Sequence, residues 1–205
     1  MTSLIVIAKA PRAGRSKTRL CPPCTPRQAA TLARAALVDT LDAVRATPAA
    51  RHVLVLDGEP GDWLPPGFEV LPQRGAGLDE RLAHAFADVG GPALLIGMDT
   101  PQGTPRDLGT GLGRLAGADA VLGPAPDGGY WAIGLREPDP EVFLGVPMST
   151  PRTCRAQRTR LAGLGLRVAE LPALRDVDLI ADARAVAALA PRGRFARALA
   201  LTGAA

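Results

Sequence analysis

The chain has 205 residues, 47% hydrophobic and 21% charged, which is ordinary for one soluble globular domain with a substantial core. A net charge of +4 without a long basic run argues against a nucleic-acid partner, and an odd count of 3 cysteines makes no disulfide framework. No apolar run nears the ~20 residues of a membrane span, and the short run at residues 4–8 is followed by its positive charges where a signal segment has them in front. A single cytoplasmic domain over residues 1–205 is therefore expected.

In chain order, residues 4–8 (LIVIA) read as a fully buried first strand, followed by a loop of Gly, Pro and basic residues. Thr25, Pro26 and Gln28 then mark a helix start: an N-cap, Pro at the first position and a capping box. Ala30, Ala33, Leu37, Leu41 and Val44 give that helix one apolar face. Residues 52–56 (HVLVL) form a second strand, 57–66 a surface loop and 68–71 a short third strand. Leu78, Leu82, Phe86 and Val89 space a second helix, with Asp79 and Glu80 where acids suit its dipole. Residues 93–97 (ALLIG) are a buried strand ending at Met98-Asp99. Leu108, Leu112 and Leu115 mark a helix weakened by glycines. Further strands are expected at 118–122, 130–135 and 166–171, and helices at 151–164 and 180–190. Strands separated by helices predict an α/β three-layer sandwich around a mostly parallel, twisted sheet.

The first loop carries the sharpest signal. Lys9 and Lys17 are the chain's only lysines; its other cationic side chains are arginines apart from two histidines, and no carboxylate precedes Asp39. A Gly-containing loop between a buried strand and a helix is where α/β folds hold phosphates, through backbone N–H groups and a helix N-terminus. Arg12, Arg15, Lys17 and Arg19 add full charges, with Gly14 in the turn. The spacing is neither a Walker A loop nor GxGxxG. A solvated basic loop is the plainer explanation.

The pattern Lys9-Ala-Pro-x-x-Gly14-x-x-Lys17-Thr-Arg-Leu20 resembles the opening signature of a bacterial family of glycosyltransferase-like proteins. That family is similar to the molybdenum-cofactor and phospholactate guanylyltransferases. Gly77-Leu-Asp-Glu-Arg-Leu82, Ile96-Gly-Met-Asp99-Thr-Pro101, Leu122-Gly-Pro-Ala-Pro-Asp127-Gly-Gly-Tyr-Trp131, Val146-Pro-Met-Ser149-Thr-Pro151 and Arg175-Asp-Val-Asp178 extend the likeness in order along the chain. It implies the nucleotide-diphospho-sugar transferase (GT-A) fold.

The resemblance also implies roles. Ala8, Lys9, Pro11, Arg12, Gly14, Arg15, Lys17 and Arg19 would bind nucleotide phosphates, with Gln73 and Gly77 toward the base. Asp99, at the C-terminal edge of a predicted central strand, would hold Mg²⁺ (or Mn²⁺), which needs few protein carboxylates because it keeps several waters. Asp178 is the favoured second ligand; Asp176 points the other way if the segment is extended. Asp99 as a turn residue and Asp178 as an N-cap are the structural alternatives. Asp127, in the Asp-Gly-Gly turn, would orient or deprotonate an acceptor, with Gly128, Gly129, Tyr130, Ser149 and Thr150 around it; a plain hairpin turn explains the same residues. Trp131 belongs to the core. Three positions depart from the family pattern: Met98 for a small residue before the Asp, Met148 for Trp, and Leu179 for Thr.

Cys21 and Cys24 have redox spacing without the thioredoxin-like setting. His52 and His84 have no ligand companions. Catalytic weight thus falls on Lys17, Asp99 and Asp127. The leading expectation is a Mg²⁺-dependent nucleotidyltransferase moving NMP from an NTP to a small phosphorylated or carboxylate acceptor, with release of pyrophosphate. Glycosyl transfer from a nucleotide-sugar and a non-catalytic nucleotide-binding module are the alternatives.

Overall fold

The computed structural model describes residues 2–204. Its strands are β1 (Ser3–Lys9), β2 (His52–Asp57), β3 (Glu69–Pro72), β4 (Ala93–Gly97), β5 (Ala120–Pro124), β6 (Tyr130–Leu135) and β7 (Val168–Glu170). Its helices are α1 (Pro26–Arg45), α2 (Leu78–Val89), α3 (Pro105–Gly117), α4 (Thr153–Gly163), α5 (Ile180–Leu189) and α6 (Arg194–Ala200). The strands form one seven-stranded sheet in the order β3-β2-β1-β4-β6-β5-β7. All pairings are parallel except those of β6, which runs antiparallel to both β4 and β5.

Alternation along β1 shows why the sheet is covered on both faces. Leu4 and Val6 face one cluster with Leu37 and Leu41 of α1 and Leu108 and Leu115 of α3. Ile5 faces the other, with Leu82 and Phe86 of α2 and Leu161 of α4. On the outer side of α1, Leu32 and Ala36 meet Val186 of α5 and Phe195 and Leu199 of α6 in a third cluster. Twenty residues of α1 are thus held between the sheet and a helical outer layer.

Local signals explain the elements. The Thr25 capping box forms in both directions: Thr25 N–H donates to Gln28 Oε1 at 2.8 Å, and Gln28 N–H to Thr25 Oγ1 at 3.3 Å. Thr104 and Asp107 make an equivalent box at α3. One glycine of α3 serves a purpose besides weakening the helix: a Cβ on Gly111 would lie 2.6 Å from Leu94 Cδ2, so its absence lets α3 settle on β4. The 57–66 loop is less superficial than expected, because Trp63 and Leu64 pack against the α1 side of the core. Helix α6 was not foreseen. It follows Pro191 and packs Phe195 and Leu199 inward, while the Arg194 and Phe195 N–H groups donate to Asp39 of α1 at 3.1 and 2.8 Å.

Candidate active site

The strand order reverses direction at β1, with β2 on one side and β4 on the other. Ligands of open α/β sheets bind at such a switch, beyond the carboxyl ends of the strands. Lys9 closes β1, Gly97 closes β4, and Ile7 stands opposite Gly97. The two loops leaving these strands build the site.

The loop after β1 is folded by its own backbone. Ala10 N–H donates to the Asp57 carbonyl at 2.9 Å, Arg12 N–H to Ser16 Oγ at 2.8 Å, and Ser16 N–H to the Arg12 carbonyl at 3.0 Å. Lys17 has left-handed backbone angles (φ 50°, ψ 40°), uncommon for a residue with a side chain, and a 3-10 turn at Thr18–Leu20 follows. Leu20 anchors the turn in the third cluster. Because the chain turns here, Lys17 and Arg19 reach one region although they are two residues apart. Lys17 Nζ sits 2.8 Å from Asp99 Oδ2 and also donates to the Val177 carbonyl; Lys17 is only 12% exposed. Arg19 pairs with Asp178. Lys9 is exposed, and its N–H lies 3.4 Å from Met98 Sδ.

The carboxylates arrive on three loops. Asp99 Oδ1 is buried and has no hydrogen-bond partner among the described residues. The Asp99 carbonyl accepts from Val177 N–H at 2.9 Å, and Gln102 Nε2 donates to the Arg175 carbonyl at 2.5 Å, stapling the 175–178 segment to the end of β4. Within that segment the expectation needs a correction. Asp176, set aside on strand alternation, belongs to the same charge cluster as Asp99. Burial pushes its pKa up to about 6, and the neighbouring Asp127 and Asp99 push the same way against Lys17. Asp178 faces Arg19 instead.

No three His, Cys, Asp or Glu side chains among the described residues already stand at metal-ligating spacing. The donors nonetheless suit Mg²⁺: they are hard carboxylate oxygens, and Asp99 offers one that is buried and unbonded, a costly state without a cation.

A cleft of about 480 Å³ opens beside these groups, bordered by Ala8, Lys9, Gln73, Arg81, Met98, Asp99, Tyr130 and Ser149, a size suited to small ligands. A second cavity of about 300 Å³ shares Lys9, Met98 and Asp99 with it and adds Arg15, Lys17, Arg19 and Asp178. Arg12 and Arg15 border a third with Asp57. Pro11 and Gly14 shape the turn without lining any of these spaces.

The expected acceptor and base residues divide. Gln73 lines the cleft, but its amide is engaged: Nε2 donates to the Ala8 and Val55 carbonyls at 2.7 and 3.2 Å, and Oε1 accepts from Arg81 at 3.2 Å. Gly77 is the N-cap of α2, where a Cβ would fall 2.2 Å from Asp79 Oδ1. Asp127 is exposed, its Oδ1 accepting from Gly129 N–H at 2.8 Å. Gly128 (φ +91°) has no room for a side chain, since a Cβ would meet the Pro151 carbonyl oxygen at 2.0 Å. The Tyr130 hydroxyl turns to Gln157 Oε1 at 3.3 Å, and burial drives its pKa upward. Ser149 borders the cleft with a left-handed backbone, whereas Thr150 interacts with Thr153 at the start of α4. Trp131 is buried as expected, and its Nε1–H donates to the Pro172 carbonyl at 3.1 Å. Cys21, Cys24 and Cys154 are free thiols; burial raises the pKa of Cys24 and Cys154. The His52 and His84 rings meet backbone carbonyls of Thr47 and Arg74. Arg81, which also pairs with Asp57 at 3.1 Å, was missed as a cleft residue; its place in the Gly77–Leu82 motif was the available signal.

The seven-stranded, mostly parallel mixed sheet is that of the nucleotide-diphospho-sugar transferase fold. A solved structure from Desulfovibrio desulfuricans G20, assigned to the nucleotide-diphospho-sugar transferases, superposes with a TM-score of 0.80 at 29% identity, covering 88% of this chain and 84% of that one. CMP:2-keto-3-deoxy-manno-octonic acid synthetase complexed with CTP shares the fold at a TM-score of 0.60 and 14% identity, over 94% of this chain and 99% of that one. Residues 30–150 match the family model described as "Uncharacterized protein conserved in bacteria (DUF2064)", and the chain belongs to that family. A relative from Thermomonospora curvata named phosphoenolpyruvate guanylyltransferase is 33% identical over 89% of this chain and 82% of its own length. No helix among the described residues is long and apolar enough to cross a membrane.

Proposed function

We propose that the protein is a Mg²⁺-dependent nucleotidyltransferase that moves NMP from an NTP to a small phosphorylated or carboxylate acceptor. The observation that carries this reading is the meeting of Lys17 and Asp99 at 2.8 Å where β1 and β4 part, beside a buried, unbonded Asp99 oxygen. Basic side chains beside a carboxylate with a free oxygen suit a polyphosphate bound together with a divalent ion. The relative named for guanylyl transfer to phosphoenolpyruvate makes GTP the first nucleotide and phosphoenolpyruvate the first acceptor to test.

An acceptor oxygen attacks the α-phosphorus, forming a new P–O bond. The bond from the α-phosphorus to the bridging oxygen breaks, and pyrophosphate leaves with the electron pair. Lys17, helped by Arg12, Arg15 and Arg19, stabilises the charge gathering on that leaving group. Lys9 lines all three cavities and can meet phosphate on either side of the reacting atom. Asp99, with Asp176 or Asp178 beside it, would hold the divalent ion, whose chemistry is charge neutralisation across the reacting phosphates. Asp127, exposed on the turn between β5 and β6 and near enough to Asp176 to push its pKa up, orients the acceptor, with Ser149 on the cleft wall. Little covalent work falls to the protein; positioning supplies most of the rate.

The test is a panel of NTPs and nucleotide-sugars with Mg²⁺ and phosphorylated or carboxylate acceptors, followed by ³¹P NMR. Pyrophosphate from an NTP, dependent on acceptor, is the expected result. Release of a nucleoside diphosphate from a nucleotide-sugar would favour glycosyl transfer, and nucleotide binding without any product would favour a binding module.

A further inference from the structure

The two loop cations rest on Asp99 and Asp178, two of the carboxylates proposed above for a divalent ion. Lys17 Nζ occupies Asp99 Oδ2 at 2.8 Å and the Val177 carbonyl. Arg19 occupies Asp178. An ammonium and a divalent ion cannot share one carboxylate edge without strong repulsion at a few ångströms. With two of its three N–H donors spent on Asp99 and Val177, the Lys17 ammonium has one left for a phosphate. Asp99 Oδ1, buried and unbonded, shows that the seat is only half satisfied by Lys17.

We propose that Lys17 and Arg19 are resident counter-cations that mask the metal seat until a triphosphate draws them off, so that the divalent ion binds with or after the nucleotide and not before it. This deepens the nucleotidyl-transfer reading and rests on it. The geometry makes the exchange short. The cavity of about 300 Å³ is bordered by Lys17, Arg19, Asp99 and Asp178 together, so phosphates entering it come within reach of both cations. The loop backbone is already fixed by the Arg12–Ser16 turn and by buried Leu20, leaving the flexible Lys17 stem to move. Once the cations turn to phosphate, the Asp99 and Asp178 carboxylates are left unpaired at the edge of the same cavity. By linkage, the nucleotide must tighten metal binding by the same factor by which metal tightens nucleotide binding.

The experiment titrates Mn²⁺ into the full chain by electron paramagnetic resonance, alone and with α,β-methylene analogues of GTP and CTP, which cannot release pyrophosphate. The wild type is expected to bind Mn²⁺ at least tenfold more tightly with an analogue than without. Lys17→Met is expected to bind Mn²⁺ alone at least tenfold more tightly than wild type, while Lys17→Arg stays near wild type. Should Lys17→Met fold poorly, Arg19→Gln on the exposed side of the loop is expected to shift in the same direction, by about threefold. Tight Mn²⁺ binding by nucleotide-free wild type, unchanged in these variants and lost in Asp99→Asn, overturns the masking and leaves the nucleotidyl-transfer reading standing. No Mn²⁺ binding to any form, with or without either analogue, overturns both.

Discussion

The loop after β1 and the hairpin loop between β5 and β6 carry their charge differently. In the first, Lys17 and Arg19 are paired with carboxylates from distant loops, and Leu20 is buried as an anchor. In the second, Asp127 is exposed, held only by the Gly129 N–H of its own turn. One side is built and neutralised in advance; the other is rigid in backbone yet open in chemistry. Such a division suits an enzyme whose polyphosphate is constant in form and whose acceptor decides the particular reaction.

The comparison can be broken most severely on the built side. Lys17→Ala is expected to lower kcat by on the order of 10²–10³, because a charge aimed at the leaving group is lost. Steady-state kinetics of pyrophosphate release measures it, and unchanged turnover would show the loop to be a bystander. On the hairpin, Gly128→Ala meets the Pro151 carbonyl in a left-handed backbone. It should destabilise the fold by about 3 kcal/mol, read from urea unfolding. Asp127→Asn should leave nucleotide affinity alone and raise the acceptor KM by about tenfold, a loss of about 1.4 kcal/mol. A fall in nucleotide affinity instead would erase the distinction between the two loops.

The smallest effect is a pH dependence. Asp176 binds its proton more tightly in the fold, up to about 6, than the ordinary value of 3.8. Between those values the folded chain keeps a proton that the unfolded chain releases, so stability falls as pH rises, and the penalty is complete above about 6. In EDTA, Asp176→Asn should therefore melt above wild type near pH 7, with the difference closing toward pH 4. A constant difference across that range would remove Asp176 from the charge cluster.

Much of this architecture was legible because it rests on local signals. Strands buried on both faces read as apolar runs, so 93–97 and 130–135 coincide with β4 and β6. Thr25 and Gln28 announced α1. Lys17 stood out because lysine is so rare in this chain, and Asp99 because it follows a buried strand. Their contact was not legible, because it depends on how β1 and β4 lie together. Helix α6 escaped because seven residues carry little periodicity, and its backbone donors are satisfied by Asp39, far away in sequence. Asp176 was discarded on strand alternation, a rule that does not govern an irregular segment stapled by Val177 N–H to Asp99. Gln73 was read by its donor and acceptor capacity alone; only the fold reveals that three neighbours already use it.

The most direct test of a shared nucleotide and metal seat is a crystal structure with Mn²⁺ and an α,β-methylene GTP or CTP analogue. The expected result is an anomalous manganese peak bonded to Asp99, with the triphosphate against Lys17 and the 9–19 loop. A nucleotide bound elsewhere, or a manganese peak remote from Asp99, would contradict it.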